Sequence, residues 1–318
     1  MKEKAKIIPV CDVDKNLVYN FLQINFSHKK AEFLINHGEW LHKGNQNRFV
    51  LEKNNIIIGY FGIIPTSLEY KGLIRKAFWW TDLIISKDYR GMGFQSIIDN
   101  YIRHRDEVKL GFPNANAAKI HKKHNWFVNN KSKVMMYPIK PSKFYMFRGY
   151  KSFVKVFLDI PHDIYNKFIN KSSLISKIDT NPRPRTYEKY LNIEQNQTIS
   201  LVRDDEFISW RYINSPYKRD HVFYYCEKSH NIKVGLILRK VKTKFGLTYK
   251  ILDLFGSVSD LDALDDLLNL VIKNAIKNDI HCITILESSS KLQWLLFKKG
   301  FYLFSTARFC LYMNDDSK

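Results

Sequence analysis

The stretch from Trp79 to Phe94, WWTDLIISKDYRGMGF, limits what this chain can fold into more than any other. It reads as an apolar strand, a turn, and a glycine-bearing entry into a helix. Leu83, Ile84 and Ile85 give the strand a buried character. Ser86 to Asp88 break the apolar run, and after Arg90-Gly91-Met92-Gly93 the residues Phe94, Ile97, Ile98 and Tyr101 recur at helical spacing. Glycines beside a helix start let main-chain N–H groups come close to an anion, and the helix dipole adds partial positive charge there. The turn is too short for a P-loop and lacks the third glycine of a dinucleotide fingerprint. A tight strand-to-helix turn that uses glycine only for backbone freedom is the plainer alternative. Asp82 is a lone carboxylate in an otherwise apolar strand. Either it has a chemical reason to be there, or strand alternation turns it outward, opposite Leu83.

Downstream, Leu110-Gly111-Phe112-Pro113-Asn114 ends a second short apolar segment, a helical segment Ala115 to Lys123 follows, and then His124-Asn125-Trp126-Phe127. With these residues the chain resembles the GNAT family, the acyl-CoA-dependent N-acyltransferases. The family's loop, [QR]-x-x-G-x-[GA], falls on Asp88-Tyr89-Arg90-Gly91-Met92-Gly93, and its second part falls on Asn114, Ala117, Ile120 and His121. Departures from the pattern fall at two single residues and one dipeptide. Asp88 stands for the Gln or Arg, His121 for the Tyr that often protonates the thiolate, and Asn125-Trp126 for Gly-Phe. The order of elements follows the family over most of the chain, but specific motifs run only from Asp82 to Phe127.

The resemblance implies an α/β (α+β) chain of two tandem GNAT-like domains, each a mixed, mostly antiparallel sheet flanked by helices. The expected division is 1–140 with the acyl-CoA site, a helical linker 141–185, and 186–318 without the phosphate-binding loop. It implies attack of an amine on a thioester carbonyl, with a main-chain N–H near Leu83 to Ile85 stabilising the oxyanion. Asp82 and His121 are the candidates for proton transfer, and Leu83 marks the oxyanion donor. For His121 a surface helix position is an equal alternative. Coenzyme contacts are implied for Ile84, Ile85, Tyr89, Arg90, Gly91, Met92, Gly93, Phe94, Gln95 and Asn114. Arg90 can meet pyrophosphate oxygens in bidentate fashion. Lys119, Lys122 and Lys123 are better read as a solvated face than as 3′-phosphate ligands.

Along the chain, Val10 to Phe26 reads as a helix capped by Asp12 or Asp14, and Lys30 to His37 as a second. Glu39, Trp40 and His42 then fall in a glycine-flanked loop. Arg48 to Glu52 and Ile56 to Ile64 form a hairpin, Pro65-Thr66-Ser67 ends its second strand, and Leu68 to Tyr70 with Leu73 to Ile85 form the next. Trp40 and Trp80 are candidate acceptor walls, Trp40 with a core plug as the plainer reading. In the second half, Trp210-Arg211-Tyr212, Pro216 and Tyr217 resemble the opening of the second unit in tandem GNAT proteins. Trp210 and Tyr217 are candidates to stack on a nucleobase, with packing of a domain junction the plainer reading. There Gly300-Phe301 is retained, Gly256-Ser257-Val258-Ser259 replaces the phosphate turn, and Tyr302 to Met313 is expected to finish that half's sheet.

The 318 residues are 45% apolar and 14% aromatic, ample for packed cores. The formal charge of +20 favours polyanionic partners, although a lysine-rich solvated surface explains it equally well. No nucleic-acid module is visible. Four dispersed cysteines form no C-x-x-C, which fits a reduced, cytoplasmic protein without a metal. The first residues, MKEKAKIIPV, contain no signal-like apolar core, and no apolar run approaches the roughly 20 residues of a membrane span. Phe144 to Ile169 is read as connecting helices in preference to a helix on a membrane surface. The expected partners are an acyl-CoA, as acetyl-CoA or hydroxyacyl-CoA, and a nucleotide-linked amino sugar such as a dTDP-linked amino deoxysugar of O-antigen or lipopolysaccharide pathways. A monomer or weak dimer is expected. The alternatives are a cell-wall aminoacyl or peptide acyltransferase and a non-catalytic CoA-binding module.

Overall fold

The computed structural model describes residues 5–144, 159, 176–179, 199–228, 231–256 and 261–313. The chain forms two compact units, Met1–Asn129 with Gln195–Val202 and Arg308–Lys318, and Asn130–Glu194 with Arg203–Ala307. The stretches Phe144 to Ile169 and Asn181 to Arg185, and residues Ser257-Val258-Ser259, lie largely or wholly outside the described residues.

In the first unit β1 (Lys6–Pro9) leads to helices α1 (Lys15–Asn25) and α2 (His28–Leu41). Asp14 starts α1 by accepting a hydrogen bond from the Asn16 N–H at 2.7 Å. Strands β2 (Arg48–Lys53), β3 (Ile56–Tyr70) and β4 (Leu73–Ile85) follow as an antiparallel set. Then come α3 (Phe94–Arg103), β5 (Val108–Gly111) and α4 (Ala115–Lys123). β4 and β5 are parallel. Alternation along the strands divides the core in two. Val50 and Tyr60 meet Val18, Phe21 and Leu22 of α1 and Ala31 and Leu34 of α2. Phe49, Phe61, Phe78 and Trp80 meet Ile98 and Ile102 of α3.

Pro65 does not end a strand; β3 runs through it, opposite Phe78. β2 leaves β3 at Gly62, and the Ser67 carbonyl turns away from β4 to accept from the Val202 N–H at 2.9 Å. Pro65, two residues earlier, faces the same side, where beyond Gly62 no β2 N–H ladder is required of it.

Further on, β6 (Phe127–Pro138), β7 (Ser176–Asp179) and β8 (Ser200–Leu201) follow. Then come β9 (His221–Lys228), β10 (Asn231–Thr243), β11 (Gly246–Gly256), β12 (Cys282–Glu287) and β13 (Tyr302–Tyr312). The second unit's sheet runs β6, β12, β11, β10, β9, β7, with β11 and β12 parallel and the other pairs antiparallel. The helix Leu261–Lys277 buries Leu264, Leu267, Leu268, Val271 and Ile272 against it. Tyr302 to Met313 does not all belong to that half: residues from Arg308 on belong to the first unit and pair with its β5, Cys310 opposite Gly111 and Leu311 opposite Leu110. The class is therefore α/β, with mixed, mostly antiparallel sheets flanked by helices.

Candidate active site

β4 carries an irregularity at the residue the sequence singled out. Thr81 faces Gly62 and Ile84 faces Tyr60, so Asp82 and Leu83 together oppose Phe61. This is a β-bulge, and Asp82 within it is left-handed, at φ +58°. A non-glycine residue holds that conformation at a cost of about 1 kcal/mol, so neighbours must maintain it.

Those neighbours come from α2 and the residue that ends it. The Lys30 ammonium lies 2.6 Å from Asp82 Oδ1, and His42 Nε2 lies 3.4 Å from Oδ2. His42 is fully buried, and its Nδ1 lies 3.1 Å from the Ile63 carbonyl, so each ring nitrogen faces an oxygen. A Cβ at Gly62 would stand 2.1 Å from the His42 Cε1, so only glycine admits the ring at that point of β3. Burial alone would raise the Asp82 carboxyl. The hydrogen-bonding His42 and the Lys30 charge outweigh it and hold the group below the usual carboxylate range. Asp82 is thus a carboxylate at neutral pH, a poor proton acceptor and a good fixed charge. Beneath it Tyr60 accepts from Arg48 Nε at 2.9 Å, and burial pushes its phenol up to about 12. His42 was expected in a loop. It is the C-terminal cap of α2, which runs four residues past His37 and takes in Trp40 as a half-buried helical residue.

β4 departs from β5 just before the bulge. Their parallel register covers Ala77 to Trp79 against Val108 to Leu110, while β4 continues to Ile85. The Ser86 N–H donates to the Ile58 carbonyl at 2.9 Å, so Ile85 must turn its own N–H and C=O away from β3. Its carbonyl on that side accepts from Arg90 Nε at 2.9 Å. Arg90 therefore braces the turn through one nitrogen and leaves the rest of its exposed guanidinium for an anion.

Gly91 (φ +78°) and Gly93 (φ +83°) are both left-handed, and Gly93 caps α3. Among the described residues, no acceptor meets the N–H groups of Gly91, Met92, Gly93, Phe94 and Gln95. A Cβ at either glycine would meet nothing within 4 Å. Five amides at a helix N-terminus are thus left without an acceptor among the described residues, which fits a phosphate. Tyr89 and Phe94, edge to face at 5.9 Å, anchor the two ends of the turn to the α3-side core. Leu83 joins the same core, and Ile84 the α2-side core.

The other expected residues are less concentrated. His121 is no surface residue: it is buried against Trp126 at 4.4 Å and Trp80 at 5.4 Å. Its Nδ1 has no hydrogen-bond partner among the described residues. Burial lowers its pKa, Asp99 opposes the shift and His124 adds to it, so the ring is neutral at neutral pH. Trp80 sits in the core, with 9% exposure, rather than in an open wall. Asn114 Oδ1 accepts from the Asn116 and Ala117 N–H groups at 3.0 and 2.9 Å, so the side chain caps α4. Trp210 and Tyr217 belong to the second unit, where the Arg239 guanidinium lies 3.3 Å from the Tyr217 ring centre. Among the described residues no cluster of His, Cys, Asp and Glu has the makings of a metal site, and no helix is long and apolar enough to cross a membrane.

No family model matches the chain, and no curated protein matches it. Solved structures do. A GCN5-related N-acetyltransferase from Anabaena variabilis superposes with a TM-score of 0.62 at 16% identity, over 98% of this chain and 73% of that one. A probable N-acyltransferase from Enterococcus faecalis gives 0.62 at 9%, over 98% and 72%. Saccharomyces cerevisiae N-myristoyltransferase with bound myristoyl-CoA gives 0.60 at 12%, over 99% and 86%. At these identities the likeness shows the fold, which is that of GCN5-related N-acetyltransferases.

Proposed function

We propose that this chain is an N-acyltransferase that takes an acyl group from acyl-CoA and delivers it to a primary amine. The observation that carries the reading is the set of free amides from Gly91 to Gln95 directly after a bulged, splayed β4. Those amides and Arg90 hold a pyrophosphate, and the main chain from Leu83 to Ile85 offers an N–H to the carbonyl oxygen as it gains charge. The Ile85 N–H has the register for that, on the side where β5 has ended. CoA supplies the activated thioester; the chain orients it and accommodates the oxyanion. The fixed negative charge of Asp82 draws the acceptor in as its ammonium form, which gives one proton to water before the neutral amine attacks. Collapse of the tetrahedral intermediate then breaks the C–S bond, the new amide nitrogen gives its extra proton to water, and the CoA thiolate takes one from water.

For the acceptor we propose an amino sugar carried on a nucleoside diphosphate. The formal charge of +20 supports a diphosphate acceptor beside a polyphosphate donor. The packing of His121 among tryptophans leaves the expected thiolate acid without access, and this favours a second reading, a CoA-binding module without turnover. Incubation with acetyl-CoA and a panel of amino-sugar nucleotides, read by mass, separates the two. An acetylated product supports the enzyme. Tight CoA binding without any product leaves the module, and no CoA binding overturns both.

A further inference from the structure

His42 takes no part in the chemistry just described, yet it is a fully buried imidazole seated over a glycine that makes room for it. A hydrocarbon side chain would fill that space without desolvating two ring nitrogens. Its two nitrogens bridge β3 and β4: Nδ1 holds the Ile63 carbonyl, and Nε2 faces the Asp82 carboxylate. Lys30, from the first turn of α2, holds the other oxygen of the same carboxylate. Asp82 meanwhile occupies a backbone region that its Cβ disfavours.

We infer that His42 and Lys30 are positioning residues, which clamp the Asp82 carboxylate so that Asp82 stays left-handed and the bulge keeps the following amides aimed at the acyl carbonyl. This rests on the acyltransferase reading for its consequence, but not for the clamp itself. His42 has no exposed atom through which to touch a substrate, so it acts through Asp82. The position also explains the side-chain choice: Asp reaches α2 only because the bulge turns it there, and the bulge persists only because α2 holds it.

The test uses His42→Phe, which refills the space over Gly62, and Lys30→Met, on a partly exposed residue that can be changed without opening the core. Each is combined with Asp82→Gly, which adopts a positive φ without a clamp. Crystal structures of the single variants are expected to show Asp82 relaxed to negative φ and the bulge shifted. In the acetyl-CoA assay kcat is expected to fall about tenfold or more with the calorimetric Kd for CoA unchanged, because only the transition state uses the aimed amide. Adding Asp82→Gly is expected to recover most of that loss. Asp82 remaining left-handed in both single variants overturns the clamp, whatever the activity. A relaxed Asp82 with unchanged kcat overturns the link to catalysis. An Asp82→Gly single variant as slow as His42→Phe, with its bulge intact, assigns the carboxylate a direct chemical role instead. Where the wild type binds CoA but acylates nothing, the crystal structures still decide the clamp, and the acyltransferase reading alone is lost.

Discussion

Gly91 has φ +78° and open space where its Cβ would be, so a side chain there is strained by about 1 kcal/mol and projects into the volume a phosphate needs. Gly91→Trp is expected to abolish CoA binding while the protein stays folded; calorimetry with circular dichroism checks both, and an unaltered Kd removes the cradle assignment. His121 makes a different prediction. Its folded pKa lies below its unfolded one, so the unfolded chain takes up the proton first as pH falls. Its contribution to stability is complete above the unfolded value of about 6.5 and declines as pH drops through that value toward the folded one. His221 and His281 are also lowered by burial and slope the same way. The comparison is therefore wild type against His121→Phe: the variant is expected to show the shallower loss of Tm between pH 7 and 5. Equal slopes would mean that His121 is proton-accessible in the fold. The glycine-bearing turn between β4 and α3 was legible from sequence because a short local motif implies its own geometry. His121 and Trp80 were not, since their surroundings are assembled from β4, α4 and the residues that follow it.

At the scale of an element, Asn114 shows how a family contact and a structural duty can compete for one side chain. Its Oδ1 carries the N-cap of α4 through two N–H bonds. Asn114→Ala is expected to cost about 1 kcal/mol, while Asn114→Ser keeps a capping oxygen and removes the amide nitrogen without adding charge. Chemical denaturation of both, beside CoA titration, separates the duties: weaker CoA binding by Asn114→Ser at unchanged stability assigns the amide nitrogen to the coenzyme. α2 gives the matching lesson about reading sequences. An end at His37 is what the residues suggest, because Gly38 interrupts the helical pattern, and it leaves His42 in a loop. The structure keeps Gly38 inside the helix because the Arg48 guanidinium occupies the space, 2.9 Å from where a Cβ would be. β3 likewise passes through Pro65, since the missing N–H points where no ladder is needed.

At the scale of the whole molecule, the end of β13 is the only strand beside β5 on the side away from β4 among the described residues. It also brings Cys310 to the α3-side core and Tyr312 against Trp126 at 5.4 Å. Truncation after Thr306 is expected to expose the β5 edge and lower the stability of the first unit. Hydrogen exchange across Val108 to Gly111 reads this directly, and unchanged protection there would show that β5 holds without its partner. The charge of +20 belongs to this scale too: CoA affinity is expected to weaken several-fold between about 50 and about 300 mM salt as the Debye length shortens.

The sequence by itself determined what depends on neighbours along the chain. The β4–turn–α3 unit, its glycine-bearing turn and a helix opened by Asp12 or Asp14 follow from periodicity and from what glycine and carboxylates can do locally. The mixed sheets flanked by helices came from the family resemblance, and the choice of Asp14 from the structure. Tertiary structure alone decided what depends on long-range closure: the seating of His42 on Gly62, the bulge that turns Asp82 toward α2, and the return of residues 310–312 to β5. Hydrogen bonds and close packing between segments far apart in sequence set those features, and no local pattern encodes which distant partner will satisfy a given group.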